Sequence, residues 1–193
     1  VLALLQTVMK ENKETQQKKP EYISDPPTDI DSFYVDRTML ENELWTAFIL
    51  AGKSALLYGM GGIGKTEMAK AVLKKIYSLP CDVTGIYQIA WVTYTNGKLK
   101  DSLIEAFYDT KGYTDRDEAW EHVYNRIQTQ REKLLIVIDN VEMIEQDRDI
   151  ERVGDLPCRI LVTSRTEKIG GLYRCSVDHL PEEDCRDIFY HYY

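Results

Sequence analysis

Apolar residues along the chain fall into two kinds of run, and the two kinds alternate. Five continuous or alternating apolar runs predict β-strands, near residues 55–58, 85–95, 134–138, 159–163 and 172–177. Elsewhere apolar residues repeat every three or four positions, as they do from Met68 to Ile76, and this spacing predicts helices. Strands that alternate with helices predict an α/β fold, namely a doubly wound, mostly parallel sheet of five strands flanked by helices.

The start of the chain has a different pattern. Residues 1–19 combine an apolar beginning with charged and amide residues, which is typical of a solvated helix or of the tail of an upstream domain. Pro20, Pro26 and Pro27 then favour extended chain. We therefore expect an N-terminal extension and linker over residues 1–32 and one domain over residues 33–193. Because the chain opens at Val1 and ends inside an apolar-periodic run, we expect a domain truncated on its C-terminal side.

A glycine-rich segment follows the first of the five predicted strands. Gly59 to Thr66 spells Gly-Met-Gly-Gly-Ile-Gly-Lys-Thr and satisfies the pattern G-x-x-x-x-G-K-[ST]. Glycines at this spacing let backbone N–H groups point at an anion, and the helix that follows adds the positive end of its dipole. We expect Lys65 to reach the β- and γ-phosphates of a nucleotide and the Thr66 hydroxyl to coordinate Mg²⁺. The alternative is a glycine-rich turn with a surface lysine.

Two further strand ends carry residues that suit a nucleotide site. The apolar run 134–138, typical of a strand covered on both faces, ends in Asp139, which we interpret as the Walker B carboxylate that holds Mg²⁺ with Thr66. Arg165 closes the next strand, and its fork can donate two hydrogen bonds to a γ-phosphate. The alternatives are an aspartate that only caps a turn and an arginine on the surface.

The residue after Asp139 bears on catalysis. Asn140 stands where many hydrolysing P-loop proteins carry a second acid, and an amide cannot take a proton from water. Glu142 can substitute for that acid, although carboxylates after a strand are more often only solvated. We therefore expect slow hydrolysis, with catalytic roles for Lys65, Asp139 and Arg165.

Composition narrows the partners. The net charge is −8, from 32 acidic and 24 basic residues, which disfavours direct binding to nucleic acid or to an anionic membrane. The four cysteines form no C-x-x-C pair, so we expect free thiols in a reducing cytoplasm. A zinc site from Cys158, Cys175, His179 and Cys185 is the weaker alternative, because its spacing matches no common zinc motif.

Three segments together resemble the nucleotide-binding domain of the STAND or NB-ARC class. They are the glycine-rich segment with its Gly-Met-Gly-Gly-Ile-Gly-Lys-Thr spelling, the run from Leu134 to Asn140, and Leu161 to Arg165 with its Thr-Ser-Arg end. Upstream, residues 33–37 (Phe-Tyr-Val-Asp-Arg) resemble the F-V-G-R-E segment of that class, although Asp36 stands where glycine is usual. The class includes apoptosome scaffolds, plant disease-resistance proteins and bacterial signalling ATPases.

The resemblance implies an ATP- and ADP-binding switch with weak Mg²⁺-dependent hydrolysis, whose output is the assembly of a larger protein through self-association or protein partners. It also implies a set of nucleotide contacts. Val35 and Arg37 are expected to border the adenine, and the remaining contacts are expected from Gly61, Gly62, Ile63, Gly64, Lys65, Thr66 and Glu67.

Two other functions remain open at this point. A P-loop phosphoryl-transfer enzyme needs an acceptor site and usually a lid with additional arginines, and the sequence indicates no such lid. A DNA-associated regulatory ATPase needs a basic recognition helix, which is absent from this sequence but could lie downstream of it.

Overall fold

The computed structural model describes residues 18–95, 98–108, 115–142, 145 and 147–192. The pattern interpreted above for residues 1–17 lies outside this range. Six strands are present in the described part: β1 (Glu21–Ser24), β2 (Ala55–Tyr58), β3 (Gln88–Thr93), β4 (Leu134–Val141), β5 (Arg159–Ser164) and β6 (Tyr173–Ser176). The helices are α1 (Thr38–Trp45), α2 (Lys65–Ser78), α3 (Cys81–Thr84), α4 (Leu99–Phe107), α5 (Arg116–Gln130), α6 (Arg148–Glu151) and α7 (Glu182–Tyr192). Helix α1 continues as a π-helical turn over Thr46–Leu50.

All strands of the sheet are parallel, in the order β1-β3-β4-β5-β2-β6. The predicted α/β class with a parallel sheet is confirmed, but the sheet has six strands rather than five. The additional strand is Glu21–Ser24, which pairs with β3 and lies in the segment predicted as linker. Its four residues are too few to show a period, and its partner strand lies far along the chain.

The strand order decides where the site residues meet. Strand β5 lies between β2, which leads into the glycine-rich segment, and β4, which ends near Asp139. Because all three strands are parallel, their carboxyl ends share one edge of the sheet. Ligands of such sheets bind at that edge.

Both faces of the sheet are buried, as the continuous apolar strands predict. On one face, the π-helical turn after α1 supplies Phe48 and α2 supplies Met68 and Leu73, which pack with Leu135 and Val137 of β4. On the other face, α4, α5 and α6 pack against the alternate residues of the same strands. The sheet is therefore fixed from both sides, which gives its carboxyl edge a rigid support. Among the described residues, no helix is both long and apolar enough to span a bilayer.

Candidate functional site: a phosphate-binding cleft at the carboxyl edge of the sheet

The glycine-rich segment forms a loop between β2 and α2, as the sequence predicts. Gly64 precedes the first residue of α2 with φ 95°, a left-handed conformation that favours glycine. Gly59 has φ 153°, and a Cβ atom at this position would lie 2.6 Å from the Val177 carbonyl oxygen. The loop can therefore pack tightly beside β6 only with glycine at its start.

This close approach gives a stability prediction. Gly59→Ala should lower the free energy of unfolding by about 2–3 kcal/mol, because backbone must shift to admit the methyl group. Gly52→Ala is the matched control, since Gly52 also has a positive φ but open space around its Cβ position. It should lose only about 1 kcal/mol. Urea unfolding of both variants measures the difference, and equal losses would contradict the packing argument.

Lys65 is the first residue of α2, and its side chain extends back over the loop. Its ammonium donates hydrogen bonds to the carbonyl oxygens of Gly59 (2.9 Å) and Met60 (2.7 Å). Burial lowers the pKa of Lys65, and the positive charge of Arg165 lowers it further. A phosphate group beside this ammonium would favour the charged form. The Lys65 ammonium is therefore placed where a bound anion would stabilise its positive charge.

Thr66 and Asp139 contact each other directly. The Thr66 hydroxyl donates to Asp139 Oδ1 at 2.8 Å, so the start of α2 and the end of β4 meet as the Walker interpretation requires. Asp139 is only 7% exposed. Hydroxyl and carboxylate oxygens are the ligands that Mg²⁺ prefers, and Asp139 Oδ2 accepts no hydrogen bond from the described residues. These two residues therefore fit a Mg²⁺ ion.

Arg165 reaches the loop from the end of β5. Its guanidinium carbon lies 3.4 Å from the position of a Cβ on Gly61, and its Nε pairs with Glu142 Oε1 at 3.0 Å. Arg165 is thus beside the loop with a side chain that is 66% exposed, and its sensing role stays a prediction. Glu142, considered above as a substitute base, is occupied by this ion pair.

A cleft of about 270 Å³ connects these parts. This volume is at the low end for small-molecule sites and suits a chain of phosphates better than a complete nucleotide. Asn140 and Arg165 line it from the strand ends. Six of the predicted contacts line it from the loop and the start of α2: Gly61, Gly62, Gly64, Lys65, Thr66 and Glu67.

Arg37 also reaches the loop, but in a way that the sequence did not indicate. Its Nη2 donates to the Ile63 carbonyl at 2.7 Å, and its Nη1 donates to the carbonyl of Asp178. A larger cleft of about 840 Å³ lies beside it, and Arg37 lines that cleft whereas Val35 does not. Of the two residues expected at the adenine, the structure brings only Arg37 to the loop.

Glu67 takes part in a network that the sequence did not predict. One of its carboxylate oxygens accepts from the backbone N–H of Asp31 and the other pairs with the buried Lys70, both at 2.8 Å. Asp31 in turn accepts a hydrogen bond from the Tyr192 hydroxyl of α7 at 2.6 Å. The network joins chain before and after the domain core to the first turns of α2. Only Lys70, a charged residue on the apolar stripe of α2, signals it in the sequence.

The zinc alternative finds no support. All four cysteines are free thiols, and among the described residues no group of three or more His, Cys, Asp or Glu side chains could hold a metal ion. Burial raises the pKa of both Cys158 and Cys175 to about 12, which keeps these thiols protonated and inert.

Comparison with protein-family models gives one assignment, an NB-ARC domain over residues 42–192. The chain belongs to the NB-ARC family. Comparison with curated proteins finds no match. The family and the geometry of the site both indicate a P-loop nucleotide-binding domain. The P-loop of this NB-ARC domain is the glycine-rich segment that ends in Gly-Lys-Thr.

Solved structures share the fold of this NB-ARC domain. One is the Aeropyrum pernix ORC1 protein in complex with DNA, with a TM-score of 0.61 and 17% identity over 86% of this chain and 51% of that chain. Another is the Walker-type ATPase PABY2304 of Pyrococcus abyssi, with a TM-score of 0.53 and 10% identity over 88% of this chain and 61% of that chain. A third is the Aeropyrum pernix ORC2 protein in ADPNP–ADP complexes, with a TM-score of 0.56 and 14% identity over 87% and 54%.

These identities are low, so the likeness concerns the fold alone. The NB-ARC domain spans between 51% and 61% of the length of these three structures. What the remainder of those proteins does is a separate question from the chemistry of this cleft.

Proposed function

We propose that this domain binds ADP and ATP and acts as a nucleotide-controlled switch with slow Mg²⁺-dependent hydrolysis, which drives the assembly of a larger protein. Membership of the NB-ARC family supports nucleotide binding. The structure of the similarly folded ORC2 protein with ADPNP and ADP supports adenine as the base. The four free thiols support a location in the reducing cytoplasm.

One observation carries the proposal. Lys65, Thr66 and Arg165 line one cleft at the carboxyl edge of the sheet, and Asp139, from a third part of the chain, contacts Thr66 beside it. Two of them are cations close enough for the charge of Arg165 to lower the pKa of Lys65. Such a pair is stabilised by a ligand with several negative charges, and a triphosphate has them.

Mg²⁺ bound between Thr66 and Asp139 would supply positive charge to the β- and γ-phosphates. The chain itself contributes binding and orientation. In this proposal Lys65 donates to phosphate oxygens, the backbone N–H groups of the loop surround them, and Arg165 contacts the γ-phosphate from the end of β5.

Hydrolysis is slow in this proposal because no uncommitted carboxylate lines the cleft. Asn140 lines it but carries an amide, and the two carboxylate oxygens of Glu67 are bonded to the Asp31 N–H and to Lys70. Glu142 is not among the residues that line it. Attack on the γ-phosphate therefore proceeds without a side chain that accepts the proton of water. We expect turnover far below the median enzyme rate of about 10 per second.

The switch itself is supported by contacts on both flanks of the loop. Arg37 ties the loop backbone to Asp178, ahead of α7, while Glu67 and Asp31 tie α2 to Tyr192. A ligand that alters the loop therefore acts on the segment before α1 and on α7. Nucleotide-dependent order of such segments is a common switching mechanism.

Magnesium dependence tests the proposal. Asp139→Ala should remove most of the Mg²⁺-dependent gain in ATP affinity, about tenfold, because it deletes a charged ligand of the ion. ADP binding in EDTA should change by less than about threefold, since Asp139 then has no metal to hold. Isothermal titration calorimetry with ATP in MgCl₂ and with ADP in EDTA measures both.

Asp117→Ala is the control, because it removes an exposed carboxylate from α5, on the other face of the sheet. Its binding should equal that of the unaltered protein. A chain that binds neither nucleotide would overturn the proposal as a whole. An unchanged Mg²⁺ effect in Asp139→Ala would overturn the assignment of the metal site.

The two alternatives are outcomes of further measurements on the same protein. A phosphoryl-transfer enzyme would turn over rapidly once a small acceptor is added. A DNA-associated ATPase would bind a DNA duplex in fluorescence anisotropy with strong salt dependence, and the net charge of −8 opposes this outcome.

A further inference from the structure

We propose that Thr163 is a positioning residue that holds Asp139 in the orientation needed to bind Mg²⁺. This inference rests on the proposed function, because it concerns the same metal site. Thr163 was not among the predicted site residues. Its hydroxyl interrupts the apolar run of β5, and that is the signal for it in the sequence.

The hydroxyl of Thr163 makes two hydrogen bonds to β4. It donates to Asp139 Oδ1 at 2.6 Å and accepts from the backbone N–H of Asn140 at 2.9 Å. A hydroxyl has one proton to donate. Because an N–H group can only donate, the contact with Asn140 leaves the hydroxyl proton directed at Asp139. The carboxylate oxygen therefore has two donors, the hydroxyls of Thr66 and Thr163.

The backbone conformation of β4 explains why Asp139 needs a positioning residue. The ladder between β4 and β5 is regular up to Ile138, and its register then shifts before Val141. Asn140 lies inside this bulge with φ 62°, a left-handed conformation that asparagine tolerates better than most residues. A bulge redirects the side chains beside it. The direction of the Asp139 side chain therefore depends on the contacts at the bulge, and the Thr163 hydroxyl makes the one that reaches both the Asp139 carboxylate and the Asn140 N–H.

Asn140 acquires a structural role from this geometry. Its identity suits the left-handed backbone position after Asp139, and its N–H group is satisfied by the Thr163 hydroxyl instead of by the strand ladder. Thr163 is 1% exposed, so water does not replace its hydroxyl when it is removed. Removal of the Thr163 hydroxyl would therefore take one hydrogen-bond partner from the Asn140 N–H and one from Asp139 Oδ1.

The experiment measures how much Mg²⁺ is needed to tighten ATP binding. Thr163→Val keeps the shape of the side chain but removes the hydroxyl. It should raise the Mg²⁺ concentration for half of the gain in ATP affinity about three- to tenfold. Affinity for ADP in EDTA should change by less than about twofold, because the loop contacts do not depend on Asp139. Thr163→Ser, which keeps the hydroxyl, should have the same Mg²⁺ requirement as the unaltered protein.

Thr84→Val is the matched control for stability. Thr84 is also a buried threonine, whose hydroxyl accepts from the Ile86 N–H at 3.2 Å, but it neither contacts Asp139 nor lines the cleft. It should lower the melting temperature without changing the Mg²⁺ requirement. Thr163→Cys, which keeps the volume and a weak donor, gives an intermediate requirement and serves if Thr163→Val does not fold.

Four results would overturn the inference. An unchanged Mg²⁺ requirement in Thr163→Val, or the same change in Thr84→Val, would assign Thr163 a purely structural role. A raised requirement in Thr163→Ser would do the same. If the unaltered protein binds ATP with no Mg²⁺ effect, the metal site fails first and the role of Thr163 fails with it.

Discussion

Lys65→Ala should weaken the binding of both ADP and ATP by about a hundredfold or more. The Lys65 ammonium lies inside the loop and is held there by the carbonyls of Gly59 and Met60. From this position it serves phosphates common to both nucleotides. A hydrogen bond to a charged group contributes about 1.5–3 kcal/mol, and the ammonium makes at least two of them to a bound polyphosphate. Isothermal titration calorimetry measures the loss.

The control for this prediction is Lys74→Ala, which removes an exposed lysine further along the same helix. It changes the net charge by the same amount and should leave both affinities within about twofold. Thermal unfolding of the two variants separates lost binding from lost structure. Unchanged nucleotide affinity in a folded Lys65→Ala protein would exclude the loop as the phosphate site.

The sequence predicts the fold well where the pattern is long and local. The stripe of α2 and the apolar run of β4 each determine their own element, and the alternation of strands and helices determines the class. Some short elements escape this approach. Strand β1 and helices α3 and α6 have four residues each and no marked apolar run, whereas the equally short β2 is a continuous apolar run before the glycine-rich segment. The first three form because tertiary contacts support them.

The site could be predicted only in part, for a related reason. The loop residues are neighbours in the sequence, so their spacing alone indicates a phosphate. The contact of Thr163 with Asp139 depends on the position of β5 between β2 and β4, and no local pattern encodes that order. The pairing of Arg165 with Glu142 depends on the same order. The sequence identifies each of these strand ends separately, but only the strand order shows that they are neighbours in the structure.

Arg165→Ala should weaken ATP binding about tenfold to a hundredfold and leave ADP binding nearly unchanged. Both nucleotides offer the phosphates that the loop holds, but only ATP offers a γ-phosphate toward the end of β5. A charge-assisted hydrogen bond contributes about 1.5–3 kcal/mol, which sets the size of the selective loss. Calorimetric titration of both nucleotides measures it. An equal effect on ADP and ATP would remove the sensing role.

Glu142 supplies a sharper test, because it competes with the γ-phosphate for Arg165. Their pair has side chains 66% and 36% exposed, and such ion pairs contribute only about 0–1 kcal/mol, less than a phosphate contact. Glu142→Gln should therefore raise ATP affinity by up to about fivefold and leave ADP affinity unchanged. In the Arg165→Ala background the same substitution should have no effect. If Glu142→Gln still raises ATP affinity there, Glu142 acts by general repulsion of the phosphate, and Arg165 does not exchange between the two partners.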